Sequence, residues 1–150
     1  MKSLLLVLML FAAGCVATDY GSQKTTVQPT TVQATELDVK VSFADIPATV
    51  KPNSKFAVKW KVDSNQQKNV THTAVHYGNK SVSGDLSTDV APDKSGYDSL
   101  TPEYASGINK IPNEFSTAVV FENKGTVYAR AHVIVDGKNY WSDEKSVKVE

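Results

Sequence analysis

From residue 37 onward, apolar and polar positions alternate with a period of two. Val39, Val41 and Phe43 alternate with Asp38, Lys40 and Ser42, and Phe56, Val58, Trp60 and Val62 alternate with Lys55, Ala57, Lys59 and Lys61. A helix would scatter those lysines around its whole surface, whereas a strand puts them on one face and the large apolar residues on the other. In residues 71–77, Thr73, Val75 and Tyr77 share one face, opposite His72, Ala74 and His76. Residues 115–121 are β-rich, and in 126–135 Val127, Ala129, Ala131, Val133 and Val135 lie on one face. Asp136-Gly137 is a two-residue hairpin signal, after which 139–149 return and end on Val147 and Val149. By alternation this parity puts Trp141 with Val147 and Val149 toward the core and Tyr140 outward.

No stretch carries an apolar period near 3.6. Several short strands separated by turn signals predict an all-β antiparallel β-sandwich over residues 37–150, with Phe56, Val58, Trp60, Val75 and Tyr77 in its core. Phe56-Ala57-Val58-Lys59-Trp60 resembles the core tryptophan strand of fibronectin type III and related immunoglobulin-like domains. Val75-His76-Tyr77 resembles their hydrophobic–x–tyrosine strand, and Gly125-Thr126-Val127-Tyr128 with Arg130-Ala131 resembles their penultimate strand. Ser142 and the Val147–Val149 ending are similar to their last strand. The resemblance implies that the strands of 71–77 and 126–135 are hydrogen-bonded neighbours. The chain departs from the pattern where the valine parity sets Tyr128 opposite the core. It departs again in the long segment 78–113, rich in Gly, Ser, Asp, Pro and Lys, where a short strand is expected near 81–86. Structureless segments of this length in compact domains are usually functional or disordered.

The N-terminal quarter has a different pattern. Lys2 precedes an unbroken apolar run at 4–11, and Ala12-Ala13-Gly14 leads directly into Cys15, the one cysteine of the chain. A charged start, a short apolar run and small residues read as a secretory signal. The ten apolar residues of 4–13 are too few for a membrane span, which needs about 20. Small residues ending in cysteine resemble the lipobox of prokaryotic lipoproteins, which implies cleavage after residue 14 and a diacylglyceryl thioether on Cys15. Residues 15–36, with five threonines in TTVQPTTVQAT, hold no aliphatic residue larger than valine and no alternating pattern, too little to repay chain ordering, and read as a disordered, Thr-rich tether. About 20 such residues at roughly 3 Å each hold a domain several nanometres off a bilayer.

Charge narrows the partners. The chain carries 16 basic and 16 acidic residues and no basic run, so a nucleic-acid partner has no electrostatic support. A lone cysteine excludes an intrachain disulfide, and the sandwich must be stable through its core. Asn69-Val70-Thr71 and Asn79-Lys80-Ser81 fit the glycosylation sequon and read as chance matches.

Chemistry is sparse. There is no G-x-S-x-G elbow and no H-E-x-x-H, so no enzymatic activity is expected. Asp85, Asp89, Asp93 and Asp98 are spaced too widely for a calcium loop. All the histidines, His72, His76 and His132, fall on outward faces of two neighbouring strands, beside Tyr128 and Arg130. Imidazole is the commonest metal ligand. His72 and His76 are four strand residues apart, about 13 Å at ~3.3 Å per residue, which argues against all three sharing one ion. Two readings stay open: a polar outer face whose histidines bind nothing, and a Cu or Zn site made by His132 with His72 or His76. Tyr128, Arg130 and Tyr140 form a candidate exposed binding patch.

The resulting expectation is a membrane-anchored, extracytoplasmic lipoprotein of the cell envelope. It presents a non-catalytic binding or adhesion module to a protein or glycan ligand. The alternatives are a Cu- or Zn-binding surface lipoprotein and an accessory subunit of an envelope assembly; no cofactor other than the lipid is required. The anchor is testable: Cys15→Ser should abolish incorporation of labelled fatty acid, and equal labelling of both proteins would refute lipidation.

Overall fold

The computed structural model describes residues 35–104 and 109–150. The 1–14 signal, Cys15 and the tether as far as residue 34 lie outside the described residues. Thr35–Glu150 forms one compact unit, whose first carbonyls, of Thr35 and Glu36, accept hydrogen bonds from the amides of Gln66 and Asn65 at 2.7 Å each.

The fold is an all-β sandwich. Its strands are β1 (Val39–Asp45), β2 (Thr49–Val50), β3 (Lys55–Ser64), β4 (Lys68–Gly78), β5 (Ser99–Leu100), β6 (Lys110–Ile111), β7 (Asn113–Val120), β8 (Gly125–Val135), β9 (Lys138–Trp141) and β10 (Lys145–Val149). One sheet has the order β1-β3-β7; the other has the order β2-β10-β8-β4-β5, with β9 also on β8 and β6 on the start of β4. Pairing is antiparallel except between β2 and β10. At the β8–β9 hairpin, Asp136 and Gly137 take φ of 50° and 77°. Positive φ at both positions is what a type I′ turn demands and what Asp-Gly supplies most easily.

The two sheets bury their apolar faces against each other. Val58, Trp60 and Val62 of β3 are buried, as are Val75 of β4 and Val127, Ala129, Ala131, Val133 and Val135 of β8. Phe56 and Tyr77 are half-buried at the margin of this cluster. Trp60 is fully buried, stacked on Phe115 at 5.8 Å and edge-on to Tyr104 at 5.9 Å. Its indole N–H donates to Thr73 Oγ1 at 2.8 Å, and the Thr73 hydroxyl donates to the His132 carbonyl at 2.7 Å. A buried indole needs such an acceptor.

The outer faces of the two sheets differ. On β3, Lys55, Lys59 and Lys61 face solvent. On β4 and β8 the outer residues Ala74, His76, Arg130 and His132 are as buried as the core. Residues 82–97 lie over this face and make a third layer, before the chain rejoins the sheet edge at β5. The segment is pinned by Arg130, whose guanidinium donates to the carbonyls of Val82, Gly84 and Ser142 and to the Tyr97 hydroxyl. Glu144 holds it from the other side, accepting from Ser81 Oγ, the Val82 N–H and the Tyr97 hydroxyl. The strand expected near 81–86 is absent, because the carbonyls of Val82 and Gly84 go to Arg130 rather than to a ladder.

The expected facing of β9 is reversed. Trp141 pairs with His132 and Tyr140 with Val133, whereas Lys145 pairs with Ala129, so the register moves by one residue between β9 and β10. A slip of one residue exchanges the two faces. Trp141 therefore stands with the histidines, and Tyr140 packs against the core.

Trp60→Ala should cost about 3–5 kcal/mol by the usual large-to-small range. Trp60→Phe, which keeps most of the bulk and loses the hydrogen bond to Thr73, should cost much less. Denaturant melts of the two variants give both numbers, and equal losses would show that ring volume is not what Trp60 contributes.

Candidate metal centre

His72, His76 and His132 meet in one cluster on the covered face. The reason lies in the pairing of β4 with β8, where His132 stands directly opposite Ala74, the residue midway between His72 and His76. It is thus diagonal to both, within reach for long side chains. Ala74 is fully buried and has only a methyl group, which leaves space for the flanking rings to lean over it. A register shift between Val70 and His72 sets the outward facing of the histidine pair after the inward-facing Val70. Ring centroids are 5.8 Å apart for His72–His76 and 5.2 Å for His132 to each of them.

The expectation that strand spacing keeps His72 and His76 from one ion is therefore corrected. The ~13 Å estimate measures Cα positions, and side chains leaning toward a common centre close most of it. One ring nitrogen from each residue lies within 4.8 Å of those of the other two. The expectation of an exposed polar face is also corrected: His76 is 3% exposed and His132 0%.

Hydrogen bonding shows which nitrogens are free. His72 Nδ1 lies 2.6 Å from Glu103 Oε2, and His132 Nε2 lies 3.0 Å from Asn139 Oδ1. The Asn139 amide is itself oriented, because its Nδ2 donates to the Thr88 carbonyl at 3.3 Å. Its oxygen must then face His132, so His132 Nε2 carries the proton and Nδ1 keeps a lone pair. A carboxylate accepts only, so Nδ1 of His72 is likewise the protonated nitrogen and Nε2 the free one. The buried side-chain nitrogens without a hydrogen-bond partner are His72 Nε2, His76 Nε2 and His132 Nδ1. For His72 and His132, then, the nitrogen left unsatisfied is the one the partner forces into the lone-pair form. This is the arrangement by which outer partners orient histidine ligands on a metal.

The surroundings favour neutral rings at His76 and His132. Burial, with the nearby His72, pushes the His76 pKa down to about 4. His132 is pushed down to about 3 by burial and by its histidine neighbours, against the opposing pull of Asn139. Neutral imidazole is the ligating form. Trp141 lies against His132 at 4.0 Å between ring centroids and 5.2 Å from His76, its Nε1 donating to the Val90 carbonyl at 3.0 Å.

The candidate patch of Tyr128, Arg130 and Tyr140 does not assemble. Arg130 is 5% exposed and engaged with the covering segment, Tyr140 turns to the core side, and Tyr128 stays half-exposed. Glu144, which takes part in the same clamp, resists protonation: burial works to raise its pKa, but hydrogen bonds from Ser81, Tyr97 and Val82 and the Arg130 charge together hold it below its ordinary value.

Glu103, Asn139 and Trp141 were not among the residues expected from sequence. Two of them had a signal. A two-residue Asp136-Gly137 turn fixes Val135 opposite Lys138, and counting outward puts Asn139 opposite Ile134 and Trp141 opposite His132. Glu103 had none, since it reaches His72 from the long segment through the isolated pairing of Thr73 with Tyr104.

No protein-family profile matches the sequence, and no curated protein does. Among solved structures, the chain is similar to the PKD domain of an M14-like peptidase from a Thermoplasmatales archaeon, with 13% identity over 74% of this chain and 91% of that one and a TM-score of 0.46. It is similar to the human F-spondin reeler domain at 9% identity, over 75% and 89% of the two chains, with a TM-score of 0.46. A superoxide reductase (neelaredoxin) from Ignicoccus hospitalis is 15% identical over 75% and 80%, with a TM-score of 0.42.

The buried histidines also set a pH dependence. His76 and His132 have folded pKa values below their ordinary 6.5. Their contribution to stability is full above pH 6.5 and is lost as pH falls toward about 4 and about 3. The metal-free protein should weaken across that window, and unfolding near pH 5 should take up about two protons. Denaturant melts between pH 7 and pH 4 check the sign; a constant stability would show that the two rings are not held neutral.

Proposed function

We propose that the chain is a lipid-anchored, extracytoplasmic protein whose β-sandwich holds one Cu or Zn ion through His72, His76 and His132. Two observations carry this reading: each of the three histidines brings one ring nitrogen within 4.8 Å of the other two, and each also has one buried ring nitrogen without a hydrogen-bond partner. Each such group left unsatisfied costs roughly 1–3 kcal/mol. A bound ion gives all three a partner at once.

The donor set suits these metals. Imidazole is a ligand of Zn and Cu, and three histidines with one open position form a known zinc arrangement. Nitrogens bound at about 2.0–2.1 Å to one ion lie closer together than 4.8 Å, so binding draws the rings slightly inward, a movement that the Ala74 methyl does not oppose. His72 and His132 are already turned by Glu103 and Asn139. The role is non-catalytic holding or delivery of the ion, because His76 and His132 lie beneath the covering segment and shield the ion from larger molecules. The lipid anchor, through Cys15, ties this site to the envelope. Adhesion through Tyr128, Arg130 and Tyr140 is less well supported, since those side chains do not share a free surface.

Tag-free protein should retain one Zn or Cu ion per chain by elemental analysis after equilibration and desalting. His72→Ala, His76→Ala and His132→Ala should each remove it at micromolar protein. Retention unchanged in His132→Ala, or no ion in the unaltered protein with either metal, overturns the reading.

A further inference from the structure

We infer that the ion this site is built for is monovalent and three-coordinate, cuprous copper, rather than Zn(II). This rests on the three-histidine reading above and adds the identity of the ion. The argument is one of charge and coordination number. All three donors are histidine nitrogens, which in their ligating form bring no charge to the ion. Among the described side chains that hydrogen-bond to or stack on the three rings, namely Glu103, Asn139 and Trp141, only Glu103 is charged. One carboxylate neutralises one positive charge.

The same face already holds a cation. Arg130 pairs with His76 across β4 and β8 and lies two residues from His132 on the same side of β8. Its charge is answered by Glu144 through the shared Tyr97 hydroxyl, so Glu144 is committed and Glu103 is the carboxylate left for the ion. A dication would add a second positive charge to a face where His132 and Arg130 are 0% and 5% exposed. Burying uncompensated charge is among the most costly operations in a protein interior.

Coordination number points the same way. Zn(II) in proteins is almost always four-coordinate, so on three histidines it would have to hold a water or another ligand in the open position. Glu103 is not available as that ligand while it holds His72, since its oxygen is 2.6 Å from Nδ1, the nitrogen on the other side of the ring from the free Nε2. Trp141, packed on His132 and touching His76, closes part of the approach with an apolar ring. Cuprous copper, which like Zn(II) has a filled d shell but carries half its charge, is content with three nitrogen donors.

The test compares affinities of the full chain for Cu(I), under anaerobic conditions with ascorbate, and for Zn(II), each by competition with a chromogenic chelator. Unaltered protein should prefer Cu(I) by roughly tenfold or more, equal to 1.4 kcal/mol. Glu103→Gln keeps an acceptor for His72 Nδ1 and removes the charge. Because Coulomb energy scales with the charge of the ion, its loss in log affinity for Zn(II) should be about twice that for Cu(I). Circular dichroism checks that the variant folds, and Glu103→Asp, which restores the charge, should recover part of both losses. Zn(II) bound as tightly as Cu(I), or equal losses for the two ions in Glu103→Gln, overturns the cuprous assignment while the metal site stands. Failure of both ions to bind, with His132→Ala indistinguishable from unaltered protein, overturns the site and this inference together.

Discussion

The Thr73 hydroxyl is the point on which this structure turns. It accepts the indole N–H of Trp60 at 2.8 Å and donates to the His132 carbonyl at 2.7 Å. Through one oxygen, the largest side chain of the β1-β3-β7 sheet is joined to the backbone of the strand that carries His132. Buried hydroxyls are tolerated only when satisfied, and this one is satisfied on both sides. The depth of Trp60 in the core is thereby tied to the placement of the histidine face on the far side of the second sheet. Packing and site geometry share a common reference.

Around that reference the protein spends polar groups in an ordered way. Glu103 and Asn139 orient two of the rings, the Thr88 carbonyl orients Asn139, and the Val90 carbonyl holds Trp141. A separate clamp of Arg130, Tyr97 and Glu144 fixes the start of the covering segment. Burial raises the Tyr97 pKa, as does its hydrogen bond to Glu144, so the phenol stays a donor within the clamp. Positioning and closure are handled by different residues, which leaves the three imidazoles to face one another.

How far the sequence discloses all this follows from what periodicity measures. Alternation located β3, β4 and β8 and the core stripe of Phe56, Val58, Trp60, Val75 and Tyr77, because the face turned to the opposite sheet must be apolar. Alternation says only that His72, His76, His132 and Arg130 face the other way. Whether that other way is solvent or a third layer depends on a segment with no pattern of its own, and the gathering of three rings depends on side-chain lean that Cα spacing conceals. The facing of Trp141 is hidden for a narrower reason: one extra residue between β9 and β10 leaves no mark in composition. The Asp136-Gly137 turn did fix the β8–β9 register, so Trp141 opposite His132 was legible from the hairpin and obscured by counting backward from Val147.

That extra residue has a further consequence for how the chain tolerates change in length. Ser142 fills the irregular step, its N–H donating to the Ala131 carbonyl and its hydroxyl accepting from the Ala131 N–H, both at 2.9 Å. Removing one residue within β9 itself, such as Asn139, would act on this hairpin as a frameshift acts on a message: with the two-residue turn holding the register, Tyr140 would be read on the histidine side and Trp141 in the core, while the irregular step before Lys145 absorbed the loss and left β10 in place. Lengthening residues 15–36 by the same amount would shift nothing in the sandwich. In this chain, insertions and deletions have meaning by location, and the short run from the Asp136-Gly137 turn to Trp141 is where the reading frame of the metal face is kept.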